Sequence, residues 1–120
     1  MGWWQKRQGH QAEKSVAQWL TQQGIKVIAQ NFHCKGGELD LVALDTAQTL
    51  LFIEVKHSQN LRHGNPIERI TPQKQQRLIR CAQYFLLKHP NYHNHPMRFD
   101  AITQVGSETP QWLKNAFQAF

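Results

Sequence analysis

Four charged side chains, Glu38, Asp40, Glu54 and Lys56, sit at the ends of two short apolar runs, GGELDLVAL at residues 36–44 and LLFIEVK at 50–56. Strand side chains alternate with period two, so Glu38, Asp40, Val42 and Leu44 share a face of the first run. Leu50, Phe52, Glu54 and Lys56 share a face of the second. Folded as a hairpin about residues 45–49, with paired numbers summing to 94, the runs set Leu44 against Leu50 and Val42 against Phe52. The same register puts Asp40 opposite Glu54 and Glu38 opposite Lys56. Facing residues lie about 5 Å apart at Cβ, and like charges there destabilise the pair. A chain that keeps such a pair calls for a cation to offset it.

Gathered carboxylates suit a hard divalent ion, magnesium or manganese, which polarises a phosphate and lowers the pKa of a bound water. Three acids and an amine at one end of an apolar face thus point to metal-dependent phosphodiester hydrolysis. Asp40 and Glu54 are the central ligands expected, with the Val55 carbonyl as a further one. Lys56 stands about 6.7 Å along the strand from Glu54. It is the group that orients water or stabilises developing charge. Alone, E-x-K also describes the solvated end of many strands; the matched register with Glu38 and Asp40 lifts it above that. Glu13 falls between Leu20 and Ala17 on a helical wheel, inside an apolar arc. A carboxylate there needs a metal, a proton, or a lysine or arginine partner.

The elements that must position these groups follow from the pattern. Residues 6–23 read as a helix with Gly9, Ala12, Val16, Ala17 and Leu20 on one arc and Gly24 as its stop. Residues 25–30 read as a strand running into the extended segment NFHC, then the Gly36-Gly37 turn and the hairpin. Residues 57–70 read as loop. Thr71 is the expected N-cap and Pro72 the first residue of a helix reaching about His89. Its apolar arc is Leu78, Ile79, Ala82, Phe85 and Leu86, flanked by a stripe of Lys74, Arg77, Tyr84 and Lys88. That stripe suits a phosphate backbone, with the tyrosine available for stacking. Arg62 and His63 in the preceding loop are further candidates for nucleic-acid contact. Residues 98–104 form a strand, and the tail PQWLKNAFQAF fits either a short helix or an edge strand. The order is α-β-β-β-α-β, an α/β fold with helices packed on a mixed sheet, and residues 1–120 fit one domain.

Lys and Arg outnumber Asp and Glu by 14 to 8, a net charge of +6. That balance favours a polyanionic partner, nucleic acid before membrane. No apolar run reaches membrane-spanning length, and MGWWQKRQGHQ lacks the apolar centre of a signal peptide. Cys34 and Cys81 are too few for a disulfide scaffold and read as reduced thiols of a cytoplasmic protein. His89, His93 and His95 meet no zinc spacing, and Asp100 reads as structural, tied to Arg98 or a loop amide. Trp3 and Trp4 suit either an apolar patch or a partner.

The segments QGHQAEKSVAQWLTQQG, NFHCKGGELDLVALD, LFIEVKH, ITPQKQQRLIRCAQYFL and RFDAI resemble, in order and spacing, the YraN family of small bacterial proteins, assigned to the PD-(D/E)xK nuclease superfamily. The resemblance spans residues 8–117 and implies a restriction-endonuclease-like core, also seen in archaeal Holliday-junction resolvases. It assigns Asp40 to the acidic position of the second strand and Glu54 and Lys56 to the (D/E)xK pair. Glu13 matches a first-helix glutamate that assists metal binding, and Glu38 belongs to the GE(I/L)DL signature. The loop HSQNLRHGN departs from relatives that carry an arginine-containing stretch there, which bears on substrate contacts. The implied activity is a Mg²⁺- or Mn²⁺-dependent DNA endonuclease acting on branched or damaged DNA, for which a homodimer would supply two active sites. The alternative is a non-catalytic nucleic-acid-binding protein that keeps the nuclease fold.

Overall fold

Val16, Ala17 and Leu20, spaced along one face, give the first helix, α1 (Gly2–Gln22), a stripe that is fully or almost fully buried. In a computed structural model, which describes residues 2–58 and 70–119 and the side chains of α1 from residue 11, this stripe packs on Leu41, Leu51, Ile53 and Ile102. The strands β1 (Lys26–Cys34), β2 (Gly37–Leu44) and β3 (Leu50–Ser58) follow. Helix α2 (Pro72–Lys88), a 3₁₀ turn (Pro90–Tyr92), β4 (Met97–Val105) and β5 (Gln111–Phe117) complete the order. The second helix covers the other sheet face, where Leu78, Ala82 and Phe85 meet Val42, Leu50, Phe52 and Phe99. Among the described residues, two helices thus sandwich one five-stranded sheet of order β1-β2-β3-β4-β5. The fold is α/β as the sequence implied, compatible with a restriction-endonuclease-like core.

The expected caps and turns form. Thr71 is extended and its hydroxyl accepts the Lys74 amide at 3.2 Å, with Pro72 opening α2. The Asp45 carboxylate accepts from Ala47 and Thr49 and so closes the β2–β3 turn. Residues 111–117, compatible on sequence with helix or strand, are strand β5, paired antiparallel with β4. Buried Asp100 organises that edge, accepting from Arg98, from the Trp112 ring and from the Asn115 amide. Its structural role is as expected. Arg62 and His63, and the side chains of Trp3 and Trp4, lie outside the described residues.

Three sequence expectations need correction. The β2–β3 register is the expected one from Leu44–Leu50 to Leu41–Ile53, but the ladder ends there. Beyond it β3 stays paired in parallel with β4 as far as Ser58 and Val105, so Asp40 does not pair with Glu54 nor Glu38 with Lys56. Glu38 instead faces His33 across β1, their side chains 3.4 Å apart. Secondly, the strict alternation along β2 breaks. Leu39 and Val42 both join the α2-side core, whereas Leu41 joins the α1-side core. The slip falls at Asp40, beside Asn31 of β1, which has a φ of +54°.

Thirdly, Cys34 and Cys81 are joined in a disulfide rather than free, because the end of β1 lies against α2. The bridge also fixes the turn at Gly36 and Gly37. Gly36 has φ +83°, a conformation that favours glycine, and a Cβ on Gly37 would stand 3.3 Å from the Cys81 sulfur. A cross-link spanning 47 residues restricts the unfolded chain, and its loss costs about 2–4 kcal/mol. Cys81→Ser is therefore expected to lower the melting temperature under oxidising conditions. Reductant should lower it in the wild type and leave the variant unchanged in thermal melts.

Candidate functional site

Where the β2–β3 ladder stops, the Val55 amide has no backbone partner on β2, and a side chain takes its place. The Asp40 carboxylate accepts that N–H at 2.8 Å. This ties the acid of the second strand to the residue between Glu54 and Lys56. Glu13 reaches the same point from α1, and the sequence's ambiguity about its burial resolves: it is only 7% exposed. Ligand oxygens of Glu13, Glu38 and Asp40 all lie within 4.8 Å of one another. Glu13 adds, after larger contributions, to the rise of the Asp40 pKa.

Glu54 follows Phe52 onto the α2 side and is also 7% exposed. There Lys74, from the first turn of α2, approaches its Oε1 to 2.5 Å. Glu38, Asp40, Glu54, Lys74, Arg77 and the Gly36-Gly37 turn line a cavity of about 210 Å³. The site is thus a small acidic cleft between the sheet end and α2, with basic side chains on its helical wall.

Burial, first, and the neighbouring Glu54 charge, second, raise the Asp40 pKa from 3.8 to about 9, although the Val55 amide acts against the rise. Burial also lowers the Lys56 pKa; Glu54 works against that and Lys74 reinforces it. The Lys56 amine therefore gives up its proton more readily than an exposed lysine. Hard oxygen donors in this number fit a magnesium- or manganese-sized ion, which would offset the crowded charge.

Of the residues named from sequence, Asp40 lies with Glu13 and Glu38 and shares a cavity with Glu54, Val55 joins Asp40 through its amide, and Lys56 feels the charges of Glu54 and Lys74. Glu38, an auxiliary candidate on sequence, belongs to the tightest acidic trio. From the basic stripe, Lys74 and Arg77 reach the cleft. Tyr84 and Lys88 lie further along α2, with the Lys88 ammonium 5.4 Å from the Tyr84 ring centroid. Arg62 falls outside the described residues. The histidine group is not a metal cluster among the described residues: His89 stacks on Phe85, and the His95 ring bonds the Gln48 carbonyl. What sequence reasoning missed is the Lys74–Glu54 pair. Its signal was the single lysine in the first turn of a helix capped by Thr71.

Residues 12–103 match the family described as Uncharacterised protein family UPF0102. Curated relatives carry the same family name. A UPF0102 protein of Alcanivorax borkumensis is 41% identical over 116 residues, 93% of this chain and 92% of its own length. One from Pseudomonas putida is 44% identical over 116 residues, covering 93% and 94%. One from Nitrosococcus oceani is 37% identical over 113 residues, covering 92% and 90%.

An acid whose folded pKa is raised contributes stability while it is protonated. For Asp40 that contribution is complete below about pH 3.8 and is lost as pH climbs towards about 9. Metal-free protein should therefore lose stability with rising pH through this window, by at most about 1.4 kcal/mol per unit from this group. Asp40→Asn should flatten the slope in thermal melts. Added Mn²⁺ should restore the wild type at the alkaline end and leave Asp40→Asn unmoved.

Proposed function

The chain belongs to the UPF0102 family, the family its motifs matched under the name YraN, and we propose that it is a divalent-metal-dependent DNA endonuclease of the PD-(D/E)xK type. The observation that carries this reading is the acidic cluster of buried Glu13 and half-buried Glu38 and Asp40, within 4.8 Å and tied through Val55 to Glu54 and Lys56. Carboxylates crowded so closely serve no packing purpose and destabilise the fold unless a cation or proton offsets them.

Asp40, Glu54, Glu13, Glu38 and the Val55 carbonyl are the groups that would hold Mg²⁺ or Mn²⁺. Bound there, the ion would polarise the scissile phosphate and lower the pKa of its water. Asp40 fixes the β3 backbone at Val55, so Glu54 and Lys56 are presented from a held segment of strand. Lys56, with its lowered pKa, orients the attacking water or balances charge on the phosphate oxygens. Lys74 and Arg77 supply positive charge on the opposite wall, where a phosphodiester would enter. The net charge of +6 draws a polyanion towards the cleft. Branched or damaged DNA is the proposed substrate, and a homodimer the assembly suited to cutting two strands.

The test pairs Mn²⁺ calorimetry with cleavage of a panel of linear, flapped and branched DNA. Wild type should bind the ion and cut. Asp40→Ala and Glu54→Ala should each lose ion binding and lower cleavage by about a hundredfold or more, while retaining salt-sensitive DNA binding. DNA binding with neither ion binding nor cleavage in the wild type would replace the enzyme with a non-catalytic binding protein on the same fold.

A further inference from the structure

Lys74 makes a close contact in the cleft, and it makes it with an oxygen that the proposed ion would need. Its ammonium stands 2.5 Å from Glu54 Oε1, with Glu54 itself 7% exposed. An ammonium at that spot does what a cation there would do: it offsets a buried carboxylate next to Asp40. The backbone beneath Lys74 is fixed. Thr71 accepts its amide, and the Gln75 side chain donates to the Ile70 carbonyl at 2.8 Å. The side chain is not held in the same way. It is 45% exposed, reaches Glu54 along a flexible four-carbon stem, and stands on the wall of the cleft opposite the acids.

We propose that Lys74 is a positioning residue with two alternative partners, Glu54 in the resting protein and a phosphate of bound nucleic acid in the loaded one. This rests on the metal-dependent nuclease reading. An ammonium and a divalent ion cannot both sit against Glu54 Oε1 without mutual repulsion, so ion entry displaces Lys74. The displaced ammonium needs an anion, and the nearest part of a strand docked over the cleft is its phosphate backbone. DNA binding then removes the competitor of the ion. Linkage requires the reverse as well: the ion, by freeing Lys74, tightens the hold on DNA. The site thereby stays charge-balanced at each stage, and the ion is held firmly only when a substrate is present.

The competition predicts opposite effects on two measurements. By calorimetry without DNA, Lys74→Met should bind Mn²⁺ about three- to tenfold more tightly than wild type, the range for one charge-assisted contact partly open to solvent. At saturating Mn²⁺ the same variant should cleave more slowly. Arg77→Met, which removes a cation from the same cavity without touching that pair, should tighten Mn²⁺ binding less. In the wild type, a short phosphorothioate oligonucleotide should raise Mn²⁺ affinity, and in Lys74→Met it should not. Equal Mn²⁺ affinity in wild type and Lys74→Met, or an Arg77→Met effect as large, would overturn the competition while leaving the nuclease reading intact. No Mn²⁺ binding by either protein would overturn both.

Discussion

A buried carboxylate is tolerated only when something repays its lost hydration, and the arrangement of this fold turns on that constraint at Asp40. Its environment is set by three different elements. The Val55 amide comes from β3, Glu13 brings a further carboxyl from α1, and the Lys74 ammonium on α2 offsets the adjoining Glu54. Each helix therefore does more than cover a sheet face. Together they deliver charged side chains to the point where β2 and β3 part, Glu13 from α1 and Lys74 and Arg77 from α2. Displacing either helix would change the charge around Asp40, so the packing of the two cores and the electrostatics of the cleft are one problem.

The parting of the strands has its own cause. β3 is the central strand and must satisfy two neighbours, antiparallel β2 and parallel β4. Its pairing with β4 runs unbroken for its full length, whereas its pairing with β2 covers only four residues. Past Ile53 the β2 side of β3 is open, and an open amide in a half-buried place must find an acceptor. A carboxylate meets that need better than a neutral group, because a charge-assisted bond is shorter and stronger. The same opening gives the acids room to converge on something other than each other.

Much of this was legible in the chain. The turn at 45–49 between two apolar runs, 41–44 and 50–53, gives the hairpin register that the structure keeps from Leu44–Leu50 to Leu41–Ile53. Thr71-Pro72 announces α2, and the position of Glu13 on its wheel announces a buried acid. The departures share a physical origin. Register extrapolated past Ile53 assumes a ladder that β4 takes over, and the alternation slip falls beside Asn31 of another strand. The Cys34–Cys81 bridge joins residues 47 apart, and only the tertiary fold brings β1 against α2. The Lys74–Glu54 contact was concealed for the same reason: a basic stripe on a helix looks the same whether it faces water or an acid on a neighbouring strand.

The disulfide and the acidic cleft meet at one turn. Cys34 precedes Gly36 and Gly37, Glu38 follows them, and on the helix Cys81 lies one turn beyond Arg77 and two beyond Lys74. The cross-link therefore sets the spacing between the strand that brings Glu38 and the helix that brings both basic side chains. Gly37 belongs to that spacing, since a side chain there would press on the Cys81 sulfur and push the two walls apart. The cleft is narrow because β1 and α2 are tied together, and narrowness is what lets a lysine on one wall reach a carboxylate on the other. A wider cleft would admit water between them, and screening would reduce the pair to the weak interaction of two exposed charges.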